Sequence, residues 1–129
     1  MSASNAVTRG VRVEVESRLV PERTNPDKGE WFYAYTIKIS NEGDDTVQLV
    51  SRHWVITDGN GNVEHVRGPG VVGHQPRLRT GEKFEYTSFC PLPTPVGTME
   101  GTYQMIVDGG GGFDATIAPF FLGAADALN

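Results

Sequence analysis

The stretch Gly68-Pro69-Gly70-Val71-Val72-Gly73 spells G-x-G-x-x-G. In dinucleotide-binding folds such glycines bring a helix N-terminus against pyrophosphate, inside a strand–turn–helix unit. That context is missing here: Pro76 follows three residues after Gly73 and no amphipathic helix begins. A weaker reading survives, in which successive backbone N–H groups of the loop form an anion-binding nest. The plain alternative is a tight loop whose glycines supply positive φ. Charge placement lends the nest some support. Arg52, Arg67, Arg77 and Arg79 fall between positions 52 and 79, as do His53, His65 and His74, opposed there by Asp58 and Glu64 alone. The candidate anion or ligand site is therefore Arg67, Gly68, Gly70, Gly73, His74 and Arg77. Arg52, His53 and Arg79 form the candidate partner-facing surface, against the alternative of a solvated strand face with ordinary ion pairs. A side chain at position 70 is expected to block a ligand's approach while leaving the fold intact, so Gly70→Val would separate the two readings.

Other chemistries find less support. His53, His65 and His74 lack the short paired spacings of zinc sites, and no metal site is assigned. Glu42, Asp44 and Asp45 read as a solvated turn. Cys90 lies between Phe89 and Pro91 with no neighbouring base, which suits a buried, inert thiol. Ser51 and His53 share a strand face, but two residues of strand separate them by about 7 Å. That is too far for the direct hydrogen bond of a nucleophile–base pair. No serine lies in a G-x-S-x-G elbow. No catalytic residue, cofactor or enzymatic activity is expected.

The elements that must position these residues read as strands. Residues 11–20 alternate Val11, Val13 and Val15 against Arg12, Glu14 and Glu16, a half-buried strand. Residues 31–39 place Tyr33, Tyr35, Ile37 and Ile39 on one face. In residues 46–58 the alternation slips around Val50, which suggests a bulge or burial on both faces. Asp58-Gly59-Asn60-Gly61 then closes a hairpin whose return strand is 62–67. Residues 68–80 look irregular. Further strands are expected at 82–89, 98–108 and 113–122, with Pro91, Pro93 and Pro95 forcing an extended crossing between sheets. Seven or eight short strands without a helix mean an all-β antiparallel sandwich or a small barrel.

The 129 residues suit one domain at 11–122, with a flexible segment at 1–10 and a tail at 123–129. Residues 1–10 have no apolar core, so no secretory signal is read there. No apolar run approaches the roughly 18–20 residues of a membrane span. A net charge of −5 without Lys/Arg runs argues against nucleic acid. A single cysteine suits a reducing cytoplasm.

Several stretches together resemble the ApaG family of bacterial proteins. They are Trp31-Phe32-Tyr33-Ala34-Tyr35-Thr36-Ile37, Leu49-Val50-Ser51-Arg52-His53-Trp54, Ile56-Thr57-Asp58 and Val66-Arg67 running into the glycine motif. Phe84-Glu85-Tyr86-Thr87-Ser88, Pro91-Leu92-Pro93-Thr94-Pro95 and Gly101-Thr102-Tyr103-Gln104-Met105 complete the set. The resemblance spans residues 11–122 and departs at the glycine run 109–112, where the family hairpin is usually more polar. It implies a fibronectin type III/immunoglobulin-like sandwich of seven to eight strands and no established catalysis. It also implies an association with cobalt and magnesium homeostasis, and the occurrence of related domains in eukaryotic interaction proteins points to protein–protein contact. The expectation is a non-enzymatic interaction module with an unidentified protein partner and no direct cobalt or magnesium binding. Homodimerisation through an edge strand stays open. The alternative is a sensor of phosphate, pyrophosphate or dinucleotide polyphosphates at residues 68–73.

Overall fold

The valine alternation near the N-terminus becomes a strand with Val11, Val13 and Val15 no more than 1% exposed. That strand is β2 (Val11–Leu19) in a computed structural model describing residues 2–123. Around it lie β1 (Ser2–Thr8), β3 (Trp31–Asn41), β4 (Val47–Asp58), β5 (Val63–Pro69), β6 (Arg77–Leu78), β7 (Lys83–Leu92), β8 (Val96–Val107) and β9 (Gly112–Gly123). One sheet has the order β1-β2-β3-β7; the other runs β5-β4-β8-β9, with β6 also pairing β4. All pairings are antiparallel, and the two sheets stack as a sandwich. No helix among the described residues is long and apolar enough to cross a membrane.

The described residues form nine strands where the sequence suggested seven or eight. The expected flexible segment at 1–10 supplies β1, which pairs with β2 from Ser2↔Ser17 to Thr8↔Val11. Its sequence, SASNAVT, carries almost no apolar alternation. Polar contacts hold it instead: Ser4 Oγ donates to the Ala118 carbonyl at 2.8 Å, and Thr8 Oγ1 accepts from the Thr116 amide at 3.0 Å. Both bonds tie β1 to β9 and close that side of the sandwich. Of the expected tail, Gly123 ends β9 and the rest lies outside the described residues. Pro91 is a further correction. It sits inside β7, opposite Phe32, because β7 is an edge strand where a missing N–H costs no ladder bond. The crossing between sheets follows at Pro93-Thr94-Pro95, where the Tyr33 hydroxyl donates to the Pro95 carbonyl at 2.7 Å.

Of the two readings of the slip at Val50, the structure shows the bulge. The register of β4 against β8 shifts between Leu49 and Ser51. Val47 and Leu49 point inward before it; Trp54 points inward after it. Trp54 packs edge-on against Tyr35 (ring centroids 5.4 Å apart), Phe120 (6.0 Å) and Tyr103 (6.4 Å). Beside this cluster the hydroxyls of Tyr86 and Tyr103 meet at 2.5 Å and link the two sheets. Burial pushes both hydroxyl pKa values up, so both stay protonated at any ordinary pH.

This pair sets a test of the core. Tyr86→Phe strands a buried hydroxyl on Tyr103 and should cost about 1–3 kcal/mol in urea denaturation. The double change Tyr86→Phe/Tyr103→Phe should cost less than the sum of the two single changes. Strict additivity would show that the hydroxyls do not interact.

Candidate functional site

The bulge decides which way the candidate residues face. After it, Arg52 and Trp54 share the inner side of β4, while Ser51 and His53 turn outward. Across the ladder, Arg52 faces Gly68 and His53 faces Arg67. The Arg52 guanidinium passes directly over Gly68: a Cβ there would lie 3.0 Å from both Nη atoms. Nη1 donates to the carbonyls of Pro69 and Gly70, 2.9 Å each.

The loop beyond is anchored to β4 and closed on itself. The Gly70 amide donates to the Val50 carbonyl at 2.8 Å. Val71 and His74 exchange two backbone hydrogen bonds, both 2.8 Å, around Val72 and Gly73. Both central residues have positive φ, +42° and +83°, as a two-residue primed turn requires. Gln75 adds a side-chain amide bond to the Val50 carbonyl at 2.9 Å. His74 leans on the Phe84 ring, with centroids 5.5 Å apart.

The three motif glycines therefore have separate tasks. Gly68 makes room for Arg52, Gly70 closes the loop and Gly73 completes the turn. The loop spends the Gly70 amide on Val50 of β4 and those of Val71 and His74 on itself, and presents those of Val72 and Gly73 at its tip. Gly70→Val does not spare the fold as expected. Gly70 has φ +58°, and a Cβ there would stand 2.3 Å from the His74 carbonyl oxygen.

The basic cluster divides. Arg77 is ion-paired with Asp108 of the β8–β9 turn, and Arg79 with Glu82 at 3.3 Å. Counting carboxylates within positions 52–79 missed both partners, which arrive from outside that window. Arg52 and Arg67, by contrast, have no carboxylate within ion-pair distance among the described residues. On the outer face His53 Nε2 and His65 Nδ1 stand 2.9 Å apart. Partial burial, with Arg67 and His65 nearby, holds the His53 imidazole below its usual pKa of 6.5. No spacing rule links positions 53 and 65; the β4–β5 register does.

Nothing in the geometry assembles a nucleophile. Ser51 Oγ donates to Gln104 Oε1 at 2.8 Å rather than to His53. Cys90 is buried, and burial pushes its thiol up to about 11. Among the described residues no three His, Cys, Asp or Glu side chains gather as a metal site.

Comparison with known proteins gives a consistent result. Residues 21–107 match the family model described as the ApaG domain. Protein ApaG of Anaeromyxobacter sp. (strain K) is 56% identical over 98% of this chain and 99% of its own. Protein ApaG of Bordetella pertussis is 50% identical over 91% of this chain and 89% of its own. A Bordetella pertussis crystal structure solved as an ApaA protein superposes with a TM-score of 0.86 at 51% identity. It covers 88% of this chain and 92% of that one.

The His53 environment is directly measurable. Its Cε1 proton should titrate with a midpoint below 6.5 in NMR, and Arg67→Gln should move that midpoint upward. Because the folded protein binds a proton here less readily than the unfolded chain, this residue lowers stability as pH falls through 6.5. A midpoint at or above 6.5 would remove Arg67 and burial as its controlling neighbours.

Proposed function

The chain belongs to the ApaG domain family, and from that premise we propose that it is a binding module, not an enzyme, which engages a protein partner through the β4–β5 side. The observation that carries this reading is the division of the basic residues. Among its described residues an acidic chain leaves Arg52 and Arg67 without carboxylate partners, on opposite faces of one sheet edge. Arg67 is exposed and Arg52 half-buried, and guanidinium groups are common anchors of protein interfaces. His53 and His65 extend the same surface. Arg77 and Arg79, already neutralised by their own ion pairs, contribute less. On this reading the family's association with cobalt and magnesium runs through the partner, and the protein works in the cytoplasm. The phosphate-sensor alternative is left with the Val72 and Gly73 amides at the loop tip, and no further contact favours it.

Quantitative affinity capture from bacterial lysate tests the proposal. Arg67→Glu should weaken partner capture about tenfold or more, as loss of an interfacial charge pair does. Its thermal midpoint should stay at the parent value, since Arg67 is exposed. Arg77→Glu should change capture by less than about twofold, the scale of a peripheral charge. Equal capture by the parent and Arg67→Glu would exclude this surface.

A further inference from the structure

We propose that the free edge of β5 accepts an extended acidic segment of a partner protein as an added strand, gripped by Arg67 on one face and Arg52 on the other. The inference rests on the binding-module reading and specifies how the binding is done. β5 is the outermost strand of its sheet. Its hydrogen-bond phase follows from the ladder ends: the Asp58 amide donates to the Asn62 carbonyl at 3.0 Å, and the Gly70 amide to the Val50 carbonyl at 2.8 Å. Antiparallel pairs alternate, so Glu64, Val66 and Gly68 bond to β4. The N–H and C=O groups of Val63, His65 and Arg67 then point away from the sheet, which is the template for strand addition.

The other edges are less inviting. β1 and β9 are tied to each other by side-chain bonds. β7 carries Lys83, Glu85 and Pro91 along its edge, a mixed-charge strand with one donor missing. β5 has no proline before Pro69 and exposes Val63, His65 and Arg67 together.

The two arginines define the partner's chemistry. Arg67 stands on the outer face of the edge. Arg52 reaches the same edge from the inner face, because Gly68 has no side chain to stop it. Its hydrogen bonds to the loop carbonyls run through Nη1, which leaves Nε and Nη2 as donors for an incoming acceptor. Successive residues of a strand point to opposite faces. Two adjacent acidic residues in an added strand would therefore meet one guanidinium each.

The test is an amide NMR titration of the labelled full chain. The probe is a synthetic eight-residue peptide of alternating valine and threonine with a central Asp-Glu pair. Saturable shifts are expected at Val63, His65 and Arg67, and they should vanish when the peptide's acids become amides or its edge-facing amides are N-methylated. Gly68→Ala, which displaces the flexible end of Arg52 and little else, should weaken binding about fivefold or more, and Arg67→Glu about tenfold. His65→Pro should abolish it, since that N–H serves no bond to β4; thermal midpoints report whether each variant is folded. Shifts along β7, no shift at millimolar peptide, or indifference to N-methylation would each overturn strand addition. So would a single-stranded oligonucleotide shifting the same amides equally well. Lysate capture that depends on Arg67 but survives His65→Pro would overturn strand addition alone. Failure of the parent protein to capture any partner would overturn the binding-module reading itself.

Discussion

One extra residue, Val50, organises both the core and the candidate surface. By shifting the β4 register it exchanges the faces of everything downstream. Leu49 packs inward before it, and Trp54 packs inward after it. The same exchange brings Arg52 to the inner face and leaves Ser51 and His53 outside. The bulged residue's carbonyl is not idle, since it accepts from the Gly70 amide and the Gln75 side chain. The irregularity in β4 is thus the anchor of the glycine loop, and the loop carbonyls in turn hold Arg52.

Burial and charge act on the two sides of β4 in different ways. Inside, Trp54, Tyr35, Tyr103 and Phe120 form a contiguous ring cluster, and the Tyr86–Tyr103 hydroxyl pair satisfies the polar groups that come with it. No buried side-chain N or O atom among the described residues lacks a hydrogen bond. Outside, most ion pairs join exposed groups and contribute little to stability. Their larger effect is to decide which cations remain available. Within the basic cluster Asp108 and Glu82 occupy Arg77 and Arg79, and among the described residues Arg52 and Arg67 have no such partner.

The glycine motif shows how a sequence pattern changes meaning with context. Its spacing matches a phosphate-binding fingerprint, but no helix stands behind it. Each glycine answers a local steric demand instead: a guanidinium passing at 3.0 Å, a carbonyl at 2.3 Å and a turn residue at φ +83°. Two of these demands come from residues other than the glycine's chain neighbours, so the pattern alone does not reveal them.

The sequence by itself determined the β class, the inward faces of β2 and β3, the hairpin after Asp58 and the slip at Val50. All of these follow from local alternation and turn chemistry, which act within a few residues. It did not reveal β1, whose segment is polar and is held by pairing and by hydroxyl bonds to β9. Nor did it reveal that Pro91 lies within a strand, because edge position is a property of the assembled sheet. The candidate residues were named from the sequence, and their division into ion-paired and unpaired groups was decided by the tertiary structure. Whether Arg77 or Arg67 keeps a free charge depends on carboxylates and strand registers brought together from distant parts of the chain, and electrostatic pairing follows distance in space rather than in sequence.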